Sequence, residues 1–194
     1  MSTDSKKLNI QILVGSTREK RLGFGISKWV EGVVRSYENI EVELVDLREY
    51  PLPFFDEDLP PSMNEGNYKE SGAKIWSEKI KSADGYIIVT PEYNHGYPAD
   101  LKNHLDYLYH EWGYKPVGFV SYGGHAGGSR AVEQLKQVAL ELHMVPVRDN
   151  VTISMVFTGL NEDGTPKDAS YEKTLNKQIE QIVMLGNALR QVRN

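Results

Sequence analysis

The chain has 194 residues, with 22 Lys+Arg against 27 Asp+Glu and a formal charge of −5, which excludes a broadly basic nucleic-acid binder. With 40% hydrophobic and 25% charged residues, its length suits one globular domain, residues 1–194, that buries a sizeable core. The absence of cysteine excludes a disulfide framework, a thiolate nucleophile and Cys-ligated metal sites, and five His are a poor metal inventory.

The start of the chain is polar through Asn9 and lacks the apolar region and cleavage site of a signal peptide. No stretch approaches the roughly 20 apolar residues that span a bilayer. A cytoplasmic protein is expected, in which the sequon Asn150-Val151-Thr152 lies idle. Residues 8–14, with Ile10, Ile12, Leu13 and Val14, read as a strand that stops at Gly15. From Ile26 the apolar residues Trp29, Val30, Val33, Val34 and Tyr37 recur on one helical face. Residues 40–47 then read as a strand, 68–82 as a helix, and 85–90 as a strand apolar on both faces. A helix over 98–112 places Leu101, Leu105, Leu108 and Trp112 in one stripe, and 116–122 form the fourth strand. The next helix turns Val132, Leu135, Ala139 and Leu142 inward. Residues 144–147 read as an edge strand, because Pro146 cannot donate to a ladder, and 171–192 as a closing helix.

Five βα units in this order predict an α/β fold, a doubly wound parallel sheet with right-handed crossovers and helices on both faces. Two long loops, 51–67 and 154–170, the second with the turn Asn161-Glu162-Asp163-Gly164, read as excursions over the surface.

In such a sheet a ligand sits outside the carboxyl ends of the strands, where strand order reverses, so the loops after strands one, three and four carry the chemistry. The first runs Gly15-Ser16-Thr17-Arg18-Glu19-Lys20-Arg21-Leu22-Gly23-Phe24-Gly25 into a helix. It reads as a phosphate cradle with Arg18, Lys20 and Arg21 as added charge, or as a solvated helix start. It matches neither the dinucleotide fingerprint nor a Walker A loop. Residues 127–131 are no hydrolase elbow, since Gly127-Gly128-Ser129-Arg130 ends in Ala131. The second loop holds Tyr93, Asn94, His95 and Tyr97 between Pro91 and Pro98, flat surface beside polar edges suited to a heteroaromatic ring, or a polar turn with core tyrosines. The third, residues 121–128, has four glycines that let backbone amides approach a ligand.

Gly-Ser-Thr-Arg at 15–18, Pro-Glu-Tyr-Asn at 91–94, Leu-Lys-Asn at 101–103 and Ser-Tyr-Gly-Gly at 121–124 occur in that order. Through these motifs, from about residue 8 to about residue 153, the sequence resembles the NADPH-dependent FMN reductase family of flavodoxin-like quinone, azo and chromate reductases. The resemblance implies a flavodoxin-like five-stranded sheet of order 2-1-3-4-5. It places the FMN phosphate at Ser16, Arg18 and the stretch Arg21, Gly23, Phe24 and Gly25. Pro91, Glu92, Tyr93 and Asn94 would line the ribityl chain and isoalloxazine, and Ser121, Tyr122, Gly123 and Gly124 the pyrimidine side. Many members carry a Ser and an Asn a few residues after the Arg, where this chain has Arg21, Leu22, Gly23 and Phe24.

The implied activity is a ping-pong cycle in which NADPH passes hydride to flavin N5 and a small-molecule acceptor (a quinone, azo compound, chromate or free flavin) then takes its place. The flavin does this chemistry, so no essential acid–base residue is expected; His125 is a weak candidate for proton transfer. Family members form dimers or tetramers with the flavin near an interface, and Tyr107, Tyr109, Trp112 and Tyr114 either serve such a contact or finish the monomer core. The alternatives are a flavodoxin-type one-electron carrier, disfavoured by the charged first loop, and an FMN-binding redox-sensing interaction protein.

Overall fold

Backbone amides buried among apolar side chains must pair, and the apolar runs of this chain do so in one parallel sheet. The computed structural model describes residues 7–64 and 66–193. Strands β1 (Leu8–Val14), β2 (Ile40–Asp46), β3 (Gly85–Pro91), β4 (Pro116–Tyr122) and β5 (Val145–Pro146) lie in the order β2-β1-β3-β4-β5, and β6 (Val151–Ile153) also pairs with β4. Every pairing is parallel. Order 2-1-3-4-5 is therefore observed, with a sixth strand added.

Side chains alternate between two cores. Leu13, Tyr86, Ile88, Val117 and Phe119 face α3 (Ser71–Lys81), α4 (Ala99–Asp106) and α5 (Ser129–Glu141), where Trp76, Leu101 and Leu135 are buried. Ile10, Ile12, Ile87, Val89 and Val120 face α1 (Gly23–Val34) and α7 (Ser170–Arg193), where Ile26, Val30 and Ile179 are buried. The long loops each contain one helical turn, α2 (Pro61–Asn64) and α6 (Val156–Gly159).

Three elements differ from the sequence reading. The helix expected over 98–112 ends at Asp106 and resumes as a 3₁₀ turn at His110–Trp112. The Trp112 indole donates to the Leu105 carbonyl at 3.2 Å and the Glu111 carboxylate accepts from the Tyr109 amide at 3.3 Å, so the pair an uninterrupted helix would join is satisfied elsewhere. The helix over 68–82 starts at Ser71, and the Glu57 carboxylate takes the amides of Lys69 and Glu70 ahead of it. The edge strand expected at 144–147 is shortened to β5, and β6, which was not expected, adds a second short piece beside β4. Between them Gln178 of α7, fully buried, donates its amide to Phe119 O at 2.9 Å and Asp149 O at 2.8 Å. Gly118 makes room for it, since a Cβ there would lie 2.6 Å from Gln178 Cδ. A helix side chain thus completes the sheet edge where the strand leaves it.

Candidate functional site

The loops after β1, β3 and β4 meet at the carboxyl end of the sheet, beside the switch point between β1 and β3. In the first, Ser16 is buried and its hydroxyl lies 3.0 Å from the Tyr93 hydroxyl of the second loop, while Thr17 donates to Asp100 at the start of α4. The amides of Thr17 and Arg18 have no partner among the described residues, and the first turn of α1 has no side-chain cap. Arg18 and Lys20 are exposed beside these open donors. An uncapped helix start with free amides and two cations is a seat for an anion.

Gly23 begins α1 directly over the buried Tyr122 side chain, whose hydroxyl would sit 2.5 Å from any Cβ at that position. Burial, together with the nearby Tyr93 phenol, pushes the Tyr122 hydroxyl above the usual tyrosine range, although the Gly23 amide and Ser16 hydroxyl oppose this. Tyr122 therefore supports the first loop from beneath.

The second loop folds as a two-residue hairpin. Tyr93 and Gly96 exchange backbone bonds of 2.8 and 3.0 Å, and Asn94 and His95 take φ of 51° and 71°, the type I′ geometry. Left-handed backbone at two successive non-glycine residues is costly and is held here by Gln134, which donates to His95 O at 3.0 Å. Glu92 points away from the hairpin and is ion-paired with Arg130 at the start of α5. Burial works against its charge, but the guanidinium and the first amides of α5 outweigh it, holding the carboxyl below the usual range.

In the third loop Ser121 donates to Gly127 O at 2.9 Å. Gly128 takes φ of 88°, and a Cβ on it would lie 2.7 Å from Ser121 Cβ, so only glycine closes this loop onto β4. Gly123 donates to Ile153 O, and its own carbonyl and that of Gly124 accept from Val156 and Met155. The amides of Gly124 and His125 have no partner among the described residues, and both residues are exposed.

The structure brings Ser16, Tyr93, Tyr122 and Gly23 into one cluster, with Pro91, Asn94 and the Gly123–Gly124 pair around it. Other expected site residues turn elsewhere. Arg21 is ion-paired with the buried Asp46 at the end of β2, and Phe24 lies exposed with the Arg21 guanidinium 5.5 Å from its ring. Gly25 is packed against Gly164. Sequence reading missed Asp46, Asp100 and Arg130 as partners. Their signal was weak: a carboxylate ending β2, a carboxylate opening α4 and a cation opening α5. Tyr107 and Trp112 are fully buried and finish the monomer core, Tyr109 is half-buried against that core, and Tyr114 is exposed.

The donor set suits a phosphorylated flat cofactor. Besides the open amides, the Arg21 Nε is enclosed without an acceptor, an orphan donor at the same loop. No cluster of metal-ligating side chains occurs among the described residues. A larger hollow of about 1020 Å³ lies at the opposite end of the sheet, and two of its charged residues, Glu111 and Lys115, are held by neighbouring groups. There Glu111 accepts from Tyr68 and Ser77 at 2.6 Å each, and Lys115 donates to Ile80 O, Lys81 O and the Tyr86 hydroxyl.

Sheet order and crevice define a flavodoxin-like α/β protein. A family model described as NADPH-dependent FMN reductase matches residues 8–158, and the chain belongs to that family. It is 46% identical over 146 residues to an NAD(P)H-dependent FMN reductase of Schizosaccharomyces pombe, covering 74% of this chain and 72% of the relative. It is 38% identical to one from Saccharomyces cerevisiae, covering 71% and 76%. Among solved structures it is similar in fold to FerB, a flavoenzyme NAD(P)H:(acceptor) oxidoreductase from Paracoccus denitrificans, with TM-score 0.75 and 21% identity over 91% of this chain and 98% of that one. The chain is an oxidoreductase that uses FMN and NAD(P)H.

Proposed function

We propose that this chain is a single-domain cytoplasmic reductase that works in a ping-pong sequence, in which the reduced dinucleotide and a quinone or similar small-molecule acceptor occupy one face of the crevice in turn. The observation that carries this reading is the convergence of an uncapped, cation-flanked helix start with the Tyr93 hairpin and the open amides of Gly124 and His125. Bound FMN supplies the two-electron chemistry.

The protein's part is positioning. Arg18, Lys20 and the amides of Thr17 and Arg18 hold the phosphate, with Ser16 fixing the loop through Tyr93. Pro91, Tyr93 and Asn94 line the ring, and the amides of Gly124 and His125 stabilise charge at its pyrimidine edge. Arg21, Glu92 and Tyr122 act as positioning residues through Asp46, Arg130 and Gly23. No helix among the described residues is long and apolar enough to cross a membrane, in keeping with a cytoplasmic place. The exposed apolar side chains of Phe54, Met63 and Tyr114 are consistent with a homodimer or homotetramer.

The test adds NADPH, and NADH in parallel, to FMN-loaded protein while following the visible flavin band with and without a quinone. Rapid bleaching, recovery with quinone and repeated turnover are expected. A band that stays oxidised with both nucleotides would replace this reading with an electron carrier or redox-sensing protein.

A further inference from the structure

The large hollow at the amino ends of β3 and β4 carries more basic than acidic side chains. Lys74, Lys81, Lys115 and Arg193 line it against Glu78 and Glu111. The chain as a whole is acidic, so this is a local excess of the opposite sign.

Lys115, on the floor, is 4% exposed, and its Nζ donates to Ile80 O at 2.9 Å, Lys81 O at 3.2 Å and the Tyr86 hydroxyl at 3.0 Å. Those bonds satisfy the donors of an ammonium but not its charge, and Lys115 forms no ion pair among the described residues. Buried charges in folded proteins are normally paired. The neighbouring carboxylates are committed, Asp84 to Arg190 and Arg193, and Glu111 to the Tyr68 and Ser77 hydroxyls. An anion that answers Lys115 therefore comes from the side of the hollow.

The rim adds charge and apolar surface together. Lys74 and Lys81 lie two turns apart on one face of α3, ~10 Å along its axis. Both are exposed, and neither pairs with Glu78 between them. Beside them Val192 is 64% exposed and Tyr114 50%. Tyr114 is held at φ of 55°: its amide donates to His143 O at 2.8 Å, and Arg193 donates to its carbonyl at 2.7 Å. A fixed, half-exposed ring next to several cations suits a flat apolar body that ends in a negative group.

We propose that this hollow is a second ligand site, apart from the flavin crevice, for a small aromatic carboxylate, with its charge over Lys115 between Lys74 and Lys81 and its ring against Tyr114 and Val192. Binding and protonation of the amine are then linked. Burial first, and then Arg193 and Lys81, push the Lys115 ammonium down to about 7, while Asp84 and Glu111 oppose them. The Tyr86 and Tyr68 phenols, kept neutral by burial, and His110 also face this region. An anion bound here raises the ammonium again, so the protein takes up protons on binding above about pH 7.

The test titrates FMN-loaded protein with benzoate, and with inorganic phosphate in parallel, by calorimetry in two buffers of different ionisation enthalpy. Benzoate is expected to bind with Kd below about 1 mM, taking up about half a proton at about pH 7.5. Its affinity should be about tenfold higher near pH 6 than near pH 9. Lys115→Met should abolish the uptake and the pH dependence, whereas His110→Gln should keep both. The exposed pair Lys74→Gln/Lys81→Gln should weaken benzoate about fivefold at unchanged melting temperature, which decides the matter even if Lys115→Met does not fold. Reduction of the flavin by NADPH should be the same in the rim pair as in the wild type. No benzoate binding, uptake that follows His110 in place of Lys115, or phosphate binding as tightly as benzoate overturns the assignment. An affinity unaltered in the rim pair places benzoate elsewhere and overturns it too.

Discussion

Glu92 and Arg130 lock the loop after β3 to the first turn of α5. The carboxylate, nearly buried, accepts from the Arg130 backbone amide at 3.1 Å and from its Nε at 2.6 Å. Two of the three crevice loops are thereby a single mechanical unit, joined through a residue the motif alone would assign to the cofactor. Because the folded carboxyl titrates below its unfolded value of about 4.3, its contribution is present above that value and is lost as pH falls through the folded one. Glu92→Gln should lower stability at neutral pH by about 1.5 kcal/mol, or roughly 3–6 °C in Tm, and the gap should close in acid. Melting curves from neutral to about pH 3 check this; a gap that persists undiminished in acid would mean that the charge is not what matters.

The Gly23–Tyr122 contact makes a prediction about FMN. Gly23→Ala drives a methyl to 2.5 Å from the Tyr122 hydroxyl, so the phosphate loop must shift. FMN affinity is expected to fall about tenfold, and Tyr122→Phe in the same chain should recover part of it. Fluorescence-quenching titration of the single and double variants decides, and additive losses would show that the two residues do not meet.

Arg18 and Arg21, three residues apart, should separate cleanly. Arg18 is exposed beside open amides, so Arg18→Ala is expected to weaken FMN about tenfold without moving the melting temperature of the FMN-free protein. Arg21→Ala leaves Asp46 buried without its partner and should lose about 3 kcal/mol in urea unfolding. Unaltered FMN affinity in Arg18→Ala would show the phosphate to bind elsewhere.

Lys115 carries a pH prediction at the other end of the sheet. Burial, and then the Arg193 guanidinium, lower its ammonium to about 7, against the opposing pull of Asp84 and Glu111; Lys81 adds to the lowering. The unfolded chain, with a lysine value of about 10.4, binds more protons than the folded one between about pH 7 and pH 10, so stability rises with pH across that window. Lys115→Met should flatten this rise. Urea unfolding of both proteins at about pH 7 and pH 9 is the check, and parallel behaviour would place Lys115 outside the titrating groups.

The parallel sheet was legible because its central strands are short, apolar-rich runs bounded by turn residues, whereas the strand order followed from the resemblance carried by the four motifs. The short edge strands were not, because β5 and β6 hold two and three residues and their gap is filled by Gln178, which lies 59 positions from its partner Phe119. The break after Asp106 was hidden by an apolar stripe that continues in register through Leu108 to Trp112, although the backbone bonds do not. At the site, motif positions could be read but side-chain directions could not. Arg21, Glu92 and Tyr122 each turn toward a residue on another element, and no spacing rule reports a contact between Arg21 and Asp46 or between Glu92 and Arg130.

The divided outer edge of β4 also bears on how this protein behaves when crowded or partly unfolded. A long, flat edge strand is a template on which further chains can stack into fibrils. Here that edge is covered in two short pieces, one containing Pro146, with the Gln178 amide occupying the interval, so no extended row of free amides and carbonyls is offered. The opposite edge, β2, carries the exposed Glu41, whose charge repels a second copy laid in register, while Glu43 is ion-paired with Lys79. The parallel sheet is closed to edge-to-edge growth on both sides, by interruption on one and by like charge on the other.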